Sequence, residues 1–183
     1  MTQPLRPILI AAALAITTPV LPILAADAAK PVQNTAIKAS LAPEFSAKSV
    51  QGGSISSRTL AGKGYIVNFF GSWCPYCRKE IPDMVALQQK YEKQGFTFVG
   101  MAFQDNEQTM PDFIWQNNIN YPIVMADEAI RNSFSRQVSG GVRSVPTLFA
   151  INRDGRLIEV ITGARTKEAF ETIILKTLKK PAR

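Results

Sequence analysis

Residues 65–77 read YIVNFFGSWCPYC, and the rest of the chain is best understood from this stretch outward. Its first part, 65–70, is a nearly continuous apolar run, which is typical of a central strand buried on both faces. Residues 71–73 then turn the chain. A helix is predicted from about Cys74, because Pro75 suits the first helical position, where a backbone N–H would have no partner. The stretch therefore predicts a buried strand that leads directly into a helix.

Strand and helix patterns alternate along the rest of the chain. Strands are predicted over residues 96–103, 121–125, 147–151 and 157–161, and helices over 74–94, 107–117, 127–134 and 167–179. Residues 152–155 (NRDG), between two strand patterns, predict a hairpin. Alternating strands and helices, followed by a closing hairpin and helix, indicate an α/β fold with a mixed sheet flanked by helices on both faces.

The spacing of Cys74 and Cys77 at the start of a helix points to thiol chemistry. Cys74 would lie at the helix N-terminus, where free N–H groups and the helix dipole favour a thiolate. Cys77 lies one helical turn further on, within bridging distance. We therefore expect Cys74 to be the exposed attacking thiol and Cys77 to be the thiol that resolves the mixed disulfide.

Three other interpretations of the cysteine pair stay open at this stage. A structural disulfide would close so small a loop that it would stabilise the fold little. A metal site would need two further ligands, and the chain has no histidine and no third cysteine. An inert buried pair fits poorly with Pro75 and Tyr76, which should bring the start of the helix, and at least Cys74, near the surface.

The composition excludes several classes of function. The 183 residues contain two cysteines and no histidine. This rules out a Ser-His-Asp triad, a Cys-His dyad, histidine metal ligands and a four-thiolate zinc or iron–sulfur site within one chain. One disulfide at most cannot hold so long a chain together, so an ordinary hydrophobic core is expected.

The first 26 residues carry the features of an export signal. One arginine precedes an uncharged run over 7–26, PILIAAALAITTPVLPILAA, and small residues follow it. The alternative is an uncleaved membrane anchor, since 20 uncharged residues can just span a bilayer. Either interpretation predicts a globular part outside the cytoplasm, where disulfides persist. Residues 27–40 are small and polar and are interpreted as a flexible lead-in.

The positive net charge of +7 arises entirely in the last part of the chain. Residues 1–130 hold ten basic and ten acidic residues, whereas residues 131–183 hold eleven basic and four acidic ones. A solvated C-terminal helix with scattered arginines explains this, and a basic face that steers acidic partners or contacts anionic lipid is the alternative. Nucleic-acid binding is not expected, because no dense basic run occurs beyond Lys179-Lys180.

Four motifs of the chain are informative together: VNFFGSWCPYC at 67–77, GVRSVPT at 141–147, APEF at 42–45 and RKEIP at 78–82. In combination they resemble the thioredoxin superfamily, and within it the exported TlpA/ResA-like, redoxin-type thiol–disulfide oxidoreductases. The resemblance covers about residues 41–180 and implies a thioredoxin-like domain over 41–183. The 69 positions from Cys77 to Pro146 leave room for the helix and strand that this branch inserts after the CxxC helix.

The resemblance also implies roles for residues outside the cysteine pair. The bond before Pro146 is expected to be cis, and the loop that contains it to face the CxxC motif. Asn68 stands where thioredoxins carry a titrating aspartate, so proton transfer is expected to fall to Glu80, whose family counterpart is an active-site acid, or to water. The alternative is that Glu80 is simply an acid favoured in an early helical turn. The residues expected to bind substrate are Trp73, Pro75, Tyr76, Val145 and Pro146. No metal and no cofactor is expected.

These features together predict an extracytoplasmic thiol–disulfide oxidoreductase that exchanges electrons with cysteine-containing proteins. We expect it to act as a monomeric reductase, for example of apocytochrome c, supplied by a membrane thiol-relay electron donor. The alternatives are an oxidant or isomerase of disulfides and a thiol peroxidase. A peroxidase is disfavoured because residues 70–74 (FGSWC) lack the Pro-x-x-x-Thr/Ser pattern of those enzymes. The remaining interpretations are a copper-handling module and a structural domain with an incidental disulfide.

Overall fold

The computed structural model describes residues 34–35 and 40–179 of the chain. The predicted signal or anchor at 1–26 lies outside the described residues, and so does most of the lead-in at 27–40. Across the described ranges, no helix combines the length and the apolar character needed to cross a membrane.

Nine strands and four α-helices are found within the described residues. In chain order they are β1 (Asn34–Thr35), β2 (Ser40–Leu41), β3 (Ser46–Lys48), β4 (Ser54–Ser56), β5 (Gly64–Phe70), α1 (Pro75–Tyr91), β6 (Phe96–Ala102), α2 (Met110–Gln116), β7 (Ile123–Met125), α3 (Glu128–Ser135), β8 (Thr147–Ile151), β9 (Arg156–Thr162) and α4 (Lys167–Leu178). Helix α1 runs into a short 3-10 turn, and the chain leaves that turn at Gly95 in the left-handed conformation (φ 81°), as a helix stop requires.

The central strand is β5, and all seven of its residues are buried. It pairs in parallel with β6 and antiparallel with β8. The order across the sheet is β1-β9-β8-β5-β6-β7, with β2 also pairing with β9, while β3 and β4 form a separate hairpin. The predicted mixed sheet is therefore confirmed, and the apolar run at 65–70 forms a fully buried strand at its centre.

Helices cover both faces of this sheet, as predicted. On one face, α1, α2 and α4 pack over Ile66 and Phe70 of the central strand. We call this the dithiol face, because Cys74 and Cys77 belong to its core. On the other face, α3 and the β3–β4 hairpin pack over Val67 and Phe69. We call it the aromatic face, because its centre consists of phenylalanine rings.

Some elements begin later than predicted. Helix α2 begins at Met110 rather than at residue 107, because Asn106 Oδ1 accepts a hydrogen bond from the Gln108 N–H and holds the preceding residues in a turn. Strand β7 begins at Ile123 rather than at residue 121, where Pro122 has no N–H to offer a neighbouring strand.

The short strands β1 and β2 are not anticipated by the prediction of a flexible lead-in. Asn34 and Thr35 pair with Ile161 and Val160 of β9, and β2 pairs with the other end of the same strand. Without them, one side of β9 would be an open sheet edge with unpaired backbone groups, which proteins generally cover.

Candidate active site

Cys74 occupies the N-cap position of α1. Its backbone is extended (φ −85°, ψ 114°), and its sulfur accepts a hydrogen bond from the Cys77 N–H at 3.3 Å. The Cys74 N–H donates to the Gly71 carbonyl at 3.0 Å, which closes the turn after β5. Both cysteines are free thiols. The sulfur of Cys74 thus lies at the positive end of the helix, where backbone N–H groups stabilise negative charge.

The prediction that Cys74 is exposed is wrong for this structure. Only 4% of its surface is accessible, against 2% for Cys77. The cause is a loop distant in sequence: Cys74 Sγ lies 3.9 Å from the carbonyl oxygen of Val145. Any disulfide that reacts with Cys74 would have to approach its sulfur beside this loop.

The structure holds the proton of Cys77 firmly. Burial raises the pKa of the Cys77 thiol well above its usual range, and the hydrogen bond with Cys74 raises it further. A backbone hydrogen bond at Gly71 opposes this rise, while the charge of Glu80 adds to it. Cys77 is therefore held as a protonated thiol and needs a base before it can attack.

Glu80 supplies a titrating group one turn after Cys77. Its side chain is only 3% exposed, and its Oε1 accepts a hydrogen bond from the Arg165 backbone N–H. Its Oε2 is buried without a hydrogen-bond partner among the described residues. Burial raises the pKa of this carboxyl to about 7, although the N–H and the positive charge of Arg165 act to lower it. Glu80 can therefore hold or release a proton near neutral pH.

Asn68 lies beneath the helix on the dithiol face of β5. It is 4% exposed, and its Nδ2 contacts the sulfur of Met84 at 3.5 Å. Its Oδ1 is buried and, within the described part of the chain, has no hydrogen-bond partner. Because an amide does not titrate near neutral pH, Asn68 can accept a hydrogen bond here but cannot take a proton.

The loop before β8 carries the predicted cis bond, which is confirmed between Val145 and Pro146. The carbonyl of Pro146 accepts a hydrogen bond from the Gly163 N–H at 2.9 Å. Two residues further on, the Arg165 N–H binds Glu80. The turn between β9 and α4 therefore contacts both the loop that lies against Cys74 and the buried carboxyl.

Three residues predicted to bind substrate surround Cys74 on the surface. Trp73 is 56% exposed and Tyr76 is 64% exposed, and Pro75 between them is also exposed. The Trp73 ring lies against Gly71, where an added Cβ would come within 2.6 Å of it. Its Nε1 donates to the Gln104 carbonyl at 3.2 Å. Trp73 is thus held in place while much of its ring faces solvent.

Asp105 is a site residue that the sequence reasoning missed. Its carboxylate accepts hydrogen bonds from the Ser72 N–H at 2.6 Å, from Ser72 Oγ at 2.7 Å and from the Asn106 N–H at 2.9 Å. Neighbouring Gln104 has a positive φ of 49°. The sequence did hold a signal, because Ser72 and Asp105 follow two strands that are parallel neighbours, so the loops after them meet at one edge.

The structure brings most of the predicted site residues into one region. Cys74, Cys77 and Glu80 lie within the start of α1, and Val145 lies against Cys74. Pro146 is linked to the same region through Gly163. The arrangement suits two consecutive thiol reactions: an attack by a sulfur at a helix N-terminus, then an attack by a buried thiol beside a base.

Known proteins are similar to this chain in sequence and in fold. The Redoxin family model matches residues 37–175. The chain is 32% identical over 136 residues to the thiol-disulfide oxidoreductase ResA of Bacillus thuringiensis (strain Al Hakam), covering 74% of this chain and 75% of that protein. It is 30% identical over 127 residues to the ResA of Bacillus subtilis (strain 168), covering 69% and 68% respectively.

A solved structure agrees with this relationship. The crystal structure of a thiol:disulfide interchange protein of the thioredoxin family from Chlorobium tepidum TLS superposes with a TM-score of 0.75 at 39% identity, covering 79% of this chain and 100% of that one. The predicted thioredoxin-like fold and the predicted enzyme class are thereby confirmed. The chain belongs to the Redoxin family of the thioredoxin superfamily, and it is a thiol–disulfide oxidoreductase.

Proposed function

We propose that this protein reduces disulfides in cysteine-containing proteins outside the cytoplasm, with Cys74 as the attacking thiol, Cys77 as the resolving thiol and Glu80 as the proton acceptor. The observation that carries this proposal is the position of Cys74 Sγ, which accepts the Cys77 N–H at the start of α1. A thiolate at that position is stabilised without a histidine, which the chain lacks.

The first step forms a mixed disulfide. The Cys74 thiolate attacks one sulfur of the client disulfide, the client S–S bond breaks, and the departing client sulfur leaves as a thiolate that takes a proton from solvent. Trp73 and Tyr76 offer exposed rings on both sides of Cys74 for the client segment. The loop at Val145 and Pro146 borders the sulfur and offers backbone groups to the same segment.

The second step releases the client. Cys77 loses its proton and attacks Cys74 Sγ, so that a Cys74–Cys77 disulfide forms and the second client sulfur leaves as a thiolate. Two electrons have then passed from the protein to the client. Because burial raises the pKa of Cys77, this step requires a base, and Glu80 is the buried carboxyl whose pKa of about 7 suits that task.

The cellular setting is inferred from the N-terminal sequence and from the relatives. Residues 1–26 have the pattern of an export signal or anchor, and the similar proteins include ResA proteins and a putative DsbE from Chlorobium tepidum. A reductase outside the cytoplasm needs electrons from within, so a membrane thiol-relay protein is the proposed donor. Apocytochrome c with its paired cysteines is the proposed client, and no cofactor is required for a thiol-only relay.

The reducing direction is proposed because no histidine lies between the two cysteines. A cation at that position would stabilise the thiolate and therefore the reduced form, which makes a dithiol more oxidising. Here the intervening residues are Pro75 and Tyr76, and neither one carries a charge.

The test is the reduction of insulin disulfides by dithiothreitol, catalysed by the wild type and by Cys74→Ser, with the redox potential of the dithiol measured alongside. We expect catalysis by the wild type, none by Cys74→Ser above the dithiothreitol background, and a potential near that of thioredoxin, about −270 mV. Absence of catalysis by the wild type would defeat the proposal. A potential near about −120 mV would reverse its direction.

A further inference from the structure

The surface around the dithiol combines exposed rings with positive charge. Trp73 and Tyr76 are among the exposed large hydrophobic side chains of the described residues, and they flank Cys74 in the sequence. Adjacent exposed aromatic rings mark interaction sites more often than isolated ones. The charged residues around them indicate what kind of segment fits there.

Four basic residues border this surface, and we call them the basic rim: Arg78, Lys79, Arg143 and Arg165. Arg78 and Lys79 follow Cys77 directly and are exposed, and Arg143 is exposed three residues before Pro146. Arg165 lies next to this region because its backbone N–H binds Glu80, while its guanidinium donates to the carbonyls of Thr162, Gly163 and Ala164. The rim therefore draws on three separate parts of the chain that meet at the dithiol.

Helix stability does not explain the cations on α1. The start of a helix favours acidic side chains, and cations there are disfavoured by the helix dipole. Yet the first turn of α1 contains no acidic residue, and Arg78 and Lys79 follow immediately. Residues placed against a local structural preference are often there for function. Their charges add to the partial positive charge of the helix N-terminus.

The cations on α1 are restrained by neutral groups rather than by carboxylates. Arg78 donates to the Ser72 carbonyl at 3.2 Å, and its guanidinium lies 5.5 Å from the centre of the Phe113 ring. Lys79 Nζ lies 5.9 Å from the centre of the Tyr76 ring. These contacts order the side chains and leave their charge uncancelled.

Three acidic residues lie near the rim, and one of them, Glu80, accepts a hydrogen bond from the Arg165 backbone N–H. Asp105 accepts three hydrogen bonds from Ser72 and Asn106, Glu80 is buried, and Asp83 is half-buried one turn further along α1. In the described part of the chain, the ion pairs are Lys90–Glu171, Arg131–Glu128 and Lys176–Glu159, and none involves the rim. The rim therefore presents net positive charge to an approaching client.

We propose that the basic rim selects clients whose disulfide is flanked by acidic residues. This inference rests on the proposed function, because the client must approach Cys74. Complementary charge around a reacting group increases the association rate and disfavours partners of the wrong sign. Because the rim borders the Cys74 thiol, it interacts with charges that lie within a few residues of the client cysteines.

The test uses three synthetic peptides with the same intramolecular disulfide, in which four flanking residues are all Asp, all Asn or all Lys. The reduced full chain is mixed with each peptide, and the rate of peptide reduction is measured. At low ionic strength we expect the Asp peptide to react fastest and the Lys peptide slowest, with a ratio of at least about tenfold. About 0.5 M salt should bring the rates together, since it screens exposed charges.

Two double variants test whether the preference for the Asp peptide arises at the basic rim. Lys79→Glu with Arg143→Glu reverses two charges of the rim, whereas Arg58→Glu with Lys63→Glu reverses two exposed charges before β5, at the opposite end of the strand from Cys74. The two ends of β5 are about 20 Å apart. Each double variant replaces two positive charges with two negative ones, which lowers the formal net charge by four, from +7 to +3. We expect the first to abolish or invert the Asp preference and the second to preserve it.

The outcomes separate this inference from the proposed function. If the neutral Asn peptide is not reduced by the wild type, the proposed function fails. If the Asn peptide is reduced but the three peptides react at equal rates, only the selection of acidic clients fails. Equal loss of preference in both double variants would show that net charge alone acts, and this too would overturn the role of the rim.

Discussion

The two faces of the central sheet are built on the same strands but bury different kinds of side chain. On the aromatic face, Phe134 packs against Phe69, Phe149 and Phe45, with ring centres 4.9 to 6.1 Å apart. On the dithiol face, the helix α1 buries Glu80 over a strand that carries Asn68. One oxygen of each of these two residues has no hydrogen-bond partner among the described residues.

This difference shows that the dithiol face contains buried polar atoms that lower the stability of the fold. A buried polar atom without a partner costs about 1–3 kcal/mol, and the aromatic face has no such atom among the described residues. Gln88, also on the dithiol face, shows that burial there does not itself prevent pairing, because its Oε1 accepts the Phe98 N–H at 2.9 Å. The unpartnered oxygens occur at the cysteine end of α1, where the chemistry is proposed.

The largest expected effect is on the aromatic face. Phe134→Ala removes a fully buried ring that contacts three others, and we expect a loss of about 3–5 kcal/mol in the free energy of unfolding. Urea unfolding measures this, and Phe134→Leu, at about 1 kcal/mol, is the milder control. Per folded molecule, the pH dependence of client reduction should be that of the wild type. A shift in the pH dependence of client reduction by Phe134→Ala would contradict the view that the aromatic face contributes to stability and not to the reaction.

The second prediction concerns the stability cost of Glu80. The folded state holds this proton more tightly than the unfolded state, since burial raises the pKa from 4.5 to about 7. Stability should therefore fall as pH rises from about 4.5 to 7, by about 3 kcal/mol relative to Glu80→Gln. Urea unfolding of both proteins at several pH values tests this. If the free energies of unfolding of the wild type and of Glu80→Gln changed with pH in parallel, the buried Glu80 carboxyl would carry no such cost.

The third prediction concerns the rate. Glu80→Gln cannot accept the Cys77 proton, so we expect the release step to slow at least about tenfold above pH 7, and its rise near pH 7 to disappear. Rapid-quench measurement of client release reports this step. Glu92→Gln makes the same change at an exposed position at the other end of α1 and should leave the profile intact. An unchanged profile in Glu80→Gln would remove Glu80 from the mechanism.

The smallest expected effect is at the loop that Asp105 holds. Asp105→Ala removes the acceptor for Ser72, and we expect a loss of about 1 kcal/mol in the free energy of unfolding together with a severalfold slower attack on the client. Asp112→Ala, which removes an exposed carboxylate on α2, is the matched control. A rate like that of the wild type would show that Trp73 and Cys74 are positioned without the help of Asp105.

Local patterns in the sequence predicted much of the fold. The apolar run before Cys74 forms the central strand, and helices α3 and α4 begin within one residue of the predicted positions, where Asp127 and Thr166 cap them. Each of these signals depends on neighbours within a few residues, through backbone hydrogen bonding or conformational preference.

Features that depend on distant parts of the chain were harder to predict. Glu80 resembles an ordinary acidic residue early in a helix, and its burial depends on Arg165, 85 positions away. The low exposure of Cys74 likewise depends on Val145, 71 positions away. Strands of two residues, such as β1, are too short to show an alternating pattern. Tertiary packing determines these features, and it leaves no local pattern in the sequence from which they could be predicted.

The central claim is that Cys74 attacks the client and that Cys77, buried beside Glu80, releases it. Trapping mixed disulfides tests this most directly: Cys77→Ser and Cys74→Ser, each reduced beforehand, are mixed with a disulfide-containing client protein and separated without reductant. We predict a covalent complex through Cys74 in Cys77→Ser and none in Cys74→Ser. A complex in Cys74→Ser and none in Cys77→Ser would contradict the account.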